Sequence, residues 1–376
     1  ALRWKIFSLP IREGDEQVYK ALVEYVLAGQ PYSMQNHPLV TEGELPASVY
    51  AWPVFYHPPG GVWFFSIFAG PFRLMGLKLA QLVCFAITYF SLIGSALLLT
   101  SATRIVVFAY APLAAFTPIL SHISLRVWID NPKVAFLSAF VFFSLAAVKK
   151  RISFFWWVAA FFAGIATFTK VDSLLAIPLY LALAAYEAQV GDRRQVFKIS
   201  LLVALLCFGI GLLWSLHAGT LFRAPSLPTE ESFAKSMYTF TTTVGTTPSQ
   251  FVGSFFKVMS TIIPGALLFL LFRRTKKHGN FGSSGILLLI LLAVLIEYVA
   301  LTAFGYAKLL RYLCSGVPAF TLFFAAILRE SMEMRTRTLW FKVLLAIFCF
   351  GYLLEIGQGV HILANKPRIA LIEPLF

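Results

Sequence analysis

Ten long apolar stretches, joined by short polar links, constrain this sequence more than any other feature. A helix that crosses a bilayer needs about 20 predominantly apolar residues, because the hydrocarbon core is about 30 Å thick. Only 13% of the 376 residues are charged, whereas 59% are hydrophobic. The sequence therefore predicts an all-α polytopic membrane protein with about ten transmembrane helices. The stretches are residues 77–100, 104–121, 132–148, 152–169, 173–189, 196–217, 255–272, 283–303, 311–328 and 338–357.

The composition also excludes several classes of protein. A chain with this high a content of apolar residues is neither a soluble enzyme nor an intrinsically disordered protein. The formal net charge is +14, but in such a chain excess Lys and Arg indicate loops beside anionic lipid, or a site for an anionic substrate. We therefore expect membrane lipid, and no nucleic acid, among the partners. The expected location is the bacterial inner membrane, the plasma membrane or an equivalent membrane.

Clusters of basic residues predict the orientation of the helices. The clusters at 149–151, 193–194, 273–277 and 329–337 fall on alternate links, and short loops rich in Lys and Arg remain on the cytoplasmic side. The opposite, extracytoplasmic side then carries a first loop of residues 1–76 and a second loop of residues 218–254. The predicted organisation is that first loop, a helix bundle over 77–357 that includes the second loop, and an extracytoplasmic tail over 358–376.

The first loop contains two candidate functional motifs. Asp15 and Glu16 precede a stretch with apolar residues at helical spacing, which predicts an amphipathic helix at the membrane interface. Asp15 suits the N-terminus of that helix, or it acts as a general base. Further along, Pro58 and Pro59 follow His57 and predict an extended approach to a helix start.

Charged residues mark three further links on the same side. Asp130 precedes a predicted span and is either a helix cap or a site residue, and Lys170 lies in a tight hairpin between two spans. Lys308 and Arg311 are about one helical turn apart, and Tyr312 follows. This basic pair either extends to the lipid interface or binds a phosphate group.

In this order, the motifs resemble the polytopic glycosyltransferases of the C superfamily, in the branch of the protein O-mannosyltransferases and the aminoarabinose transferases of lipid A. That family has an Asp-Glu pair in its first outer loop, a diproline before the next span and an Asp in a short outer loop. It also has a span that ends in Thr-Lys and an Arg-Tyr-Leu followed by Pro. The matching residues here are Asp15–Glu16, His57–Pro59, Asp130, Thr169–Lys170, Arg311–Leu313 and Pro318. The resemblance also implies another helix upstream of residue 1, and His57 replaces the commoner Lys.

The resemblance implies an inverting transfer of a sugar from a polyprenyl-phosphate carrier to an acceptor hydroxyl at the extracytoplasmic face. The acceptor would be a protein, a lipid or a glycan. Asp15 is then the expected base, and Glu16 and Asp130 orient the acceptor or tune Asp15. Arg311, Lys308 and Lys170, with His57 and Tyr312, are the expected contacts of the substrate and its phosphate.

No cofactor is expected, although Asp15, Glu16 and Asp130 carry oxygen ligands suited to a divalent metal. Two alternatives stay open at this stage. The first is a catalytically silent subunit of a larger membrane complex, with the same fold. The second is a transporter of lipid-linked sugars, for which charged residues near the middle of the bilayer are expected. Glu297 and Glu355 lie in spans but near their outer ends, which disfavours transport.

Overall fold

The structure, a computed structural model, describes residues 2–11, 15–45, 47–100, 104–188, 192–219, 262–271, 282–303, 310–333 and 339–369. These ranges contain helices and turns and no strand. The 3-10 helices are η1 (Leu2–Ser8) and η2 (Leu310–Gly316). The α-helices are α1 (Asp15–Leu27), α2 (Pro38–Thr41), α3 (Ala47–Tyr50), α4 (Gly60–Thr100), α5 (Arg104–Phe116), α6 (Pro118–Ile123), α7 (Asp130–Lys150), α8 (Phe154–Thr169), α9 (Ser173–Glu187), α10 (Arg193–His217), α11 (Ile262–Leu271), α12 (Gly282–Ala303), α13 (Val317–Glu333) and α14 (Leu339–Ile369).

Helix length and surface chemistry confirm the predicted polytopic membrane fold. Within the described ranges, five helical segments are long and apolar enough to cross a bilayer, and four shorter apolar helices accompany them. Large apolar side chains also lie on the surface, such as Leu202 and Leu213 in α10, which are 67% and 69% exposed, and Phe350 in α14. Exposed apolar surface on this scale is unfavourable in water and suits contact with lipid.

Two of the predicted apolar stretches differ from continuous α-helices. The stretch 104–121 is divided at Thr117, whose backbone is extended, and α6 begins at Pro118. Proline has no N–H to donate, and it disfavours the helical conformation of the residue before it. The stretch 311–328 begins as the 3-10 helix η2 and becomes α13 at Val317. The stretch 255–272 is described only over 262–271.

The diproline marks a helix start, as predicted. Helix α4 begins at Gly60, directly after Pro59, and continues for 41 residues. It is kinked at Arg73, where φ is 48° and ψ is −130°, two residues after Pro71. A proline inside a helix removes one backbone hydrogen bond and bends the axis. The first part of α4 therefore lies at an angle to the remainder.

Polar contacts define two ends of the bundle. At one end, which we call the α1 end, Glu16 at the start of α1 pairs with Arg126 before α7. At the opposite end, Lys149 at the end of α7 pairs with Glu187 at the end of α9. The Ser284 hydroxyl donates a hydrogen bond of 2.7 Å to the Glu330 carboxylate there, which joins α12 to α13. The helices therefore run alternately up and down between the two ends.

Helix α1 confirms the predicted amphipathic helix of the first loop. Val18, Ala21 and Leu22 are buried in the main hydrophobic core, where α1 packs against α4. Lys20 and Glu24 pair at 3.5 Å on the opposite, solvent-exposed face. Because one face is apolar and the other charged, α1 can lie along a membrane surface and position its N-terminal acidic residues at the α1 end.

Candidate active site

Glu16 attaches the start of α1 to the loop that leads into α7. Its carboxylate accepts a hydrogen bond of 2.8 Å from the Arg126 guanidinium and another of 2.8 Å from the Val127 backbone N–H. The whole residue is only 4% exposed. Such charge-assisted hydrogen bonds are stronger than neutral ones, so Glu16 fixes its neighbour Asp15 close to the loop that ends at Asp130.

Asp15 is more accessible than Glu16. It is half-buried, and its Oδ1 accepts a hydrogen bond of 3.3 Å from the Tyr50 hydroxyl. Tyr50 is itself buried and stacks on Phe55, with ring centroids 6.5 Å apart. A carboxylate that is both oriented by a neighbouring hydroxyl and reachable from outside has the access that a general base needs. Tyr50 was missed by the sequence analysis, since no local pattern connects it to Asp15.

His57 belongs to an aromatic cluster beside Tyr50. Its ring centroid lies 4.3 Å from that of Tyr56 and 5.9 Å from that of Phe55. The Tyr32 hydroxyl donates a hydrogen bond of 3.5 Å to the carbonyl oxygen of Pro58, which ties the diproline to this cluster. The contact of His57 with a phosphate group remains a prediction.

The two glycines after the diproline allow α4 to approach the other motifs closely. A Cβ atom on Gly60 would lie 2.6 Å from the backbone oxygen of Phe168. A Cβ on Gly61 would lie 2.9 Å from side-chain atoms of both Ile129 and Thr169. These distances are shorter than any allowed van der Waals contact. The start of α4 therefore packs directly against the residues that precede Asp130 and Lys170.

A buried network of alternating charges connects α7 to the hairpin between α8 and α9. The Lys170 ammonium lies 2.8 Å from Asp130 Oδ1 and 3.8 Å from Asp172 Oδ2. The Lys133 ammonium donates hydrogen bonds of 3.0 and 3.1 Å to the two oxygens of Asp172. Asp130 is 2% exposed and Lys133 is fully buried. Burial makes the pairing obligatory, because an isolated charge in a low-dielectric interior is very costly.

The structure excludes the interpretation of Asp130 as the N-cap of α7, whereas its role as a site residue remains a prediction. The N-cap residue of α7 is Ile129, and Asp130 is the first residue inside the helix. Its carboxylate pairs with Lys170 instead of capping the helix. Sequence analysis missed Lys133, although a lysine one turn inside an apolar span is itself a sign of function or of an ion pair.

The 3-10 helix η2 brings the Arg-Tyr-Leu motif to this network. The Cys314 thiol lies 3.7 Å from Asp130 Oδ1. The Tyr180 hydroxyl donates a hydrogen bond of 2.8 Å to the Ser315 carbonyl and accepts one of 3.2 Å from the Ala319 N–H. Tyr180 therefore fixes η2 against α9 at its junction with α13.

The basic motif lies at the edge of the described region. In a 3-10 helix, residues three apart are eclipsed, and Arg311 is three residues before Cys314. The backbone of position 311 is therefore one turn from the contact with Asp130. The side chains of Arg311 and Tyr312, and the whole of Lys308, lie outside the described residues, so their contacts with substrate remain predictions.

The other face of η2 borders an apolar cavity. Leu313 and Gly316, which are also three residues apart, line it together with residues of five further helices. The remaining lining residues are Thr117, Pro118, Ile119, Ile262, Leu291, Val294, Leu295, Val317, Phe320, Glu355 and Gln358. Helix η2 thus separates a cluster of charges from an apolar space.

The geometry bears on the possible metal ligands. Glu16 uses its oxygens for Arg126 and Val127, and Asp130 pairs with Lys170. Among the described residues, no three His, Cys, Asp or Glu side chains converge as a metal-binding group. Binding of a divalent metal at the α1 end is not tested by these contacts, and no step below uses a metal ion.

Comparison with known proteins gives a matched family segment and a similar fold. Residues 56–214 match the family model described as dolichyl-phosphate-mannose-protein mannosyltransferase, a segment that contains His57, Asp130 and Lys170. The crystal structure of ArnT from Cupriavidus metallidurans bound to undecaprenyl phosphate has a similar fold, with a TM-score of 0.51 and 14% identity. The match covers 97% of this chain and 76% of that one. No curated protein sequence gives a significant match.

The predicted resemblance is thus confirmed independently by the matched family segment and by the shared fold. The same motifs that carried it in the sequence meet at one end of the bundle, around Asp130 and η2. Over the matched segment and in its fold, the chain is therefore similar to the polytopic glycosyltransferases of the C superfamily.

Proposed function

We propose that this glycosyltransferase transfers a sugar, with inversion, from a polyprenyl-phosphate carrier to an acceptor hydroxyl at the extracytoplasmic membrane face. One observation carries the proposal: η2 lies between a buried network of charges and an apolar cavity. A donor with a long hydrocarbon tail and a charged, sugar-bearing head needs these two environments side by side. The undecaprenyl phosphate bound to the structurally similar ArnT supports the same class of donor.

The apolar cavity suits the carrier tail. Leu291, Val294 and Leu295 of α12 line it from one side, and Leu313 of η2 lies at its border. Because the cavity borders η2, a tail held there would bring its phosphate to the segment that carries Arg311.

Arg311 is the proposed contact for the leaving phosphate. When the bond between the anomeric carbon and the phosphate oxygen breaks, negative charge develops on that oxygen, and a guanidinium stabilises it with two hydrogen bonds. Lys308 is the second proposed cation. Lys170 already pairs with Asp130 and Asp172, so its main effect would be to orient Asp130.

Asp15 is the proposed general base. It takes the proton from the acceptor hydroxyl while that oxygen attacks the anomeric carbon from the side opposite the phosphate, and the carrier departs as polyprenyl phosphate. One displacement of this kind inverts the anomeric configuration. An ordinary aspartate has a pKa near 3.9 and is ionised at neutral pH. Glu16 keeps Asp15 in place through Arg126 and Val127.

Transfer assays with purified protein test this function. In nanodiscs, the protein is expected to release undecaprenyl phosphate from an undecaprenyl-phosphate-linked sugar only when an acceptor is present.

Arg311→Ala is expected to lower the rate of this release by about 10- to 100-fold, the usual effect of losing a hydrogen bond to a charged group. Arg311→Lys should retain part of the activity. The control is Lys198→Ala, which removes an exposed cation at the opposite end of the bundle. Equal rates for Arg311→Ala and that control would contradict the role of Arg311.

The proposed membrane face has its own test. Single cysteines introduced after Lys150 and near Ser226 are expected to react from opposite sides of the membrane. In intact cells, an impermeant thiol reagent should label position 226 and should reach position 150 only after the cells are opened. The reason is the basic cluster at 149–151. Labelling of position 150 in intact cells would place the α1 end in the cytoplasm.

A further inference from the structure

Glu297 is a carboxylate that the proposed mechanism does not use. It lies in the apolar helix α12, 15 residues after Gly282, which at 1.5 Å per residue places it about 22 Å towards the α1 end. It is partly buried, and it makes no hydrogen bond or ion pair with any described residue. A carboxylate inside a membrane-spanning bundle is costly, and it usually marks a site for a substrate or an ion.

The charged network at the α1 end is close to Glu297. Helix α12 packs against η2 and against α9, whose N-cap residue is Asp172, and the charges of Asp172, Lys133 and Lys170 act on the Glu297 carboxylate. With Asp130, this group contains two lysines and three carboxylates. Each aspartate has a lysine partner at 3.0 Å or less, so Glu297 is the carboxylate among these five residues that lacks one. Its oxygens need donors from another source.

The same helix face connects Glu297 to the apolar cavity. Leu291 and Val294 line the cavity, and Glu297 is three residues beyond Val294 on that face. Val294 packs against η2, where a Cβ on Gly316 would lie 3.2 Å from its Cγ1. Glu297 is therefore one helical turn beyond the contact between α12 and η2, on the side of the α1 end. A molecule with its tail in the cavity and its phosphate at η2 would present its next group to Glu297.

We infer that Glu297 binds the sugar of the lipid-linked donor by accepting hydrogen bonds from its hydroxyl groups. This inference rests on the proposed function, because it needs a polyprenyl-phosphate donor in the cavity. A sugar carries several hydroxyl groups, and each of them can donate a hydrogen bond to one of the two Glu297 oxygens. Glu297 would then determine how strongly the enzyme distinguishes a donor that carries a sugar from the bare carrier.

The test compares two ligands with the full-length protein in nanodiscs. One is undecaprenyl phosphate, and the other is a panel of undecaprenyl-phosphate-linked neutral sugars. The parent protein is expected to bind at least one sugar-bearing ligand more tightly than undecaprenyl phosphate. Glu297→Gln should weaken binding of that ligand by about tenfold or more while binding of undecaprenyl phosphate stays within about twofold. Glu297→Asp, which keeps the charge, should restore part of the difference.

Glu355→Gln supplies the matched comparison, because Glu355 is a second carboxylate within a span and lines the apolar cavity. It should change the binding of both ligands by the same factor, if at all. An equal effect of Glu297→Gln on both ligands would overturn the inference, and so would a parent protein that binds the whole panel no better than undecaprenyl phosphate. Failure of the parent to bind undecaprenyl phosphate would instead contradict the proposed function.

Discussion

Asp15→Asn is expected to lower sugar transfer by about 10²- to 10⁴-fold, the usual loss when a general base is removed. Asparagine has nearly the same shape as aspartate and can still accept the hydrogen bond from Tyr50, but it cannot take a proton at neutral pH. The rate of acceptor-dependent release of undecaprenyl phosphate measures the effect. Because Asp15 is only half-buried, the substitution leaves no unpaired charge inside the protein, and the variant should fold normally.

The matched control for this variant is Glu24→Gln. Glu24 is a carboxylate of the same helix, its side chain is 59% exposed, and it forms an ion pair with Lys20 on the outer face. Transfer by this control should equal that of the parent, and both variants should unfold at the parental temperature. An Asp15→Asn protein that retains activity within about tenfold of the parent would remove Asp15 from the mechanism and leave the base to another group.

Lys170→Met is expected to destabilise the protein by about 3–5 kcal/mol, because it leaves the buried carboxylate of Asp130 without its lysine. Asp130 is only 2% exposed, and no water can replace the ammonium at low cost. Thermal unfolding in detergent, followed by tryptophan fluorescence, measures the loss. Asp130→Asn combined with Lys170→Met removes both charges, so the double variant should be more stable than Lys170→Met alone.

An exposed ion pair provides the comparison for the Lys170→Met variant. Lys20→Met breaks the ion pair between Lys20 and Glu24, whose side chains are 42% and 59% exposed. This substitution should lower the free energy of unfolding by no more than about 0.5 kcal/mol. If Lys170→Met were as mild as Lys20→Met, the network would be solvated and its role in orienting Asp130 would be lost. A double variant less stable than Lys170→Met would show that the two residues are not coupled in the way that the structure indicates.

The candidate site shows which parts of an active site a sequence can reveal. Asp15 and Asp130 were identifiable because each is an acidic residue at a boundary between a polar link and an apolar helix. Tyr50 was not, because nothing near it in the chain indicates a partner. Lys133 was visible as a lysine just inside an apolar span, but nothing near it identified Asp172 as its partner. Glu297 was visible as a charge in an apolar span, but its relation to Lys133 and Lys170 depends on how α12 packs.

The sequence by itself determined most of the apolar helices, the amphipathic α1 and the placement of the charged motifs at helix ends. These properties depend on segment length, on periodicity and on proline, all of which are local. Only the tertiary structure decided which charges meet. Lys170 reaches Asp130 across 40 positions of the chain, and Arg126 reaches Glu16 across 110. The physical reason is desolvation: once the helices pack, each buried charge must find an opposite charge within about 3 Å, and the packing, not the sequence interval, determines which partner is available.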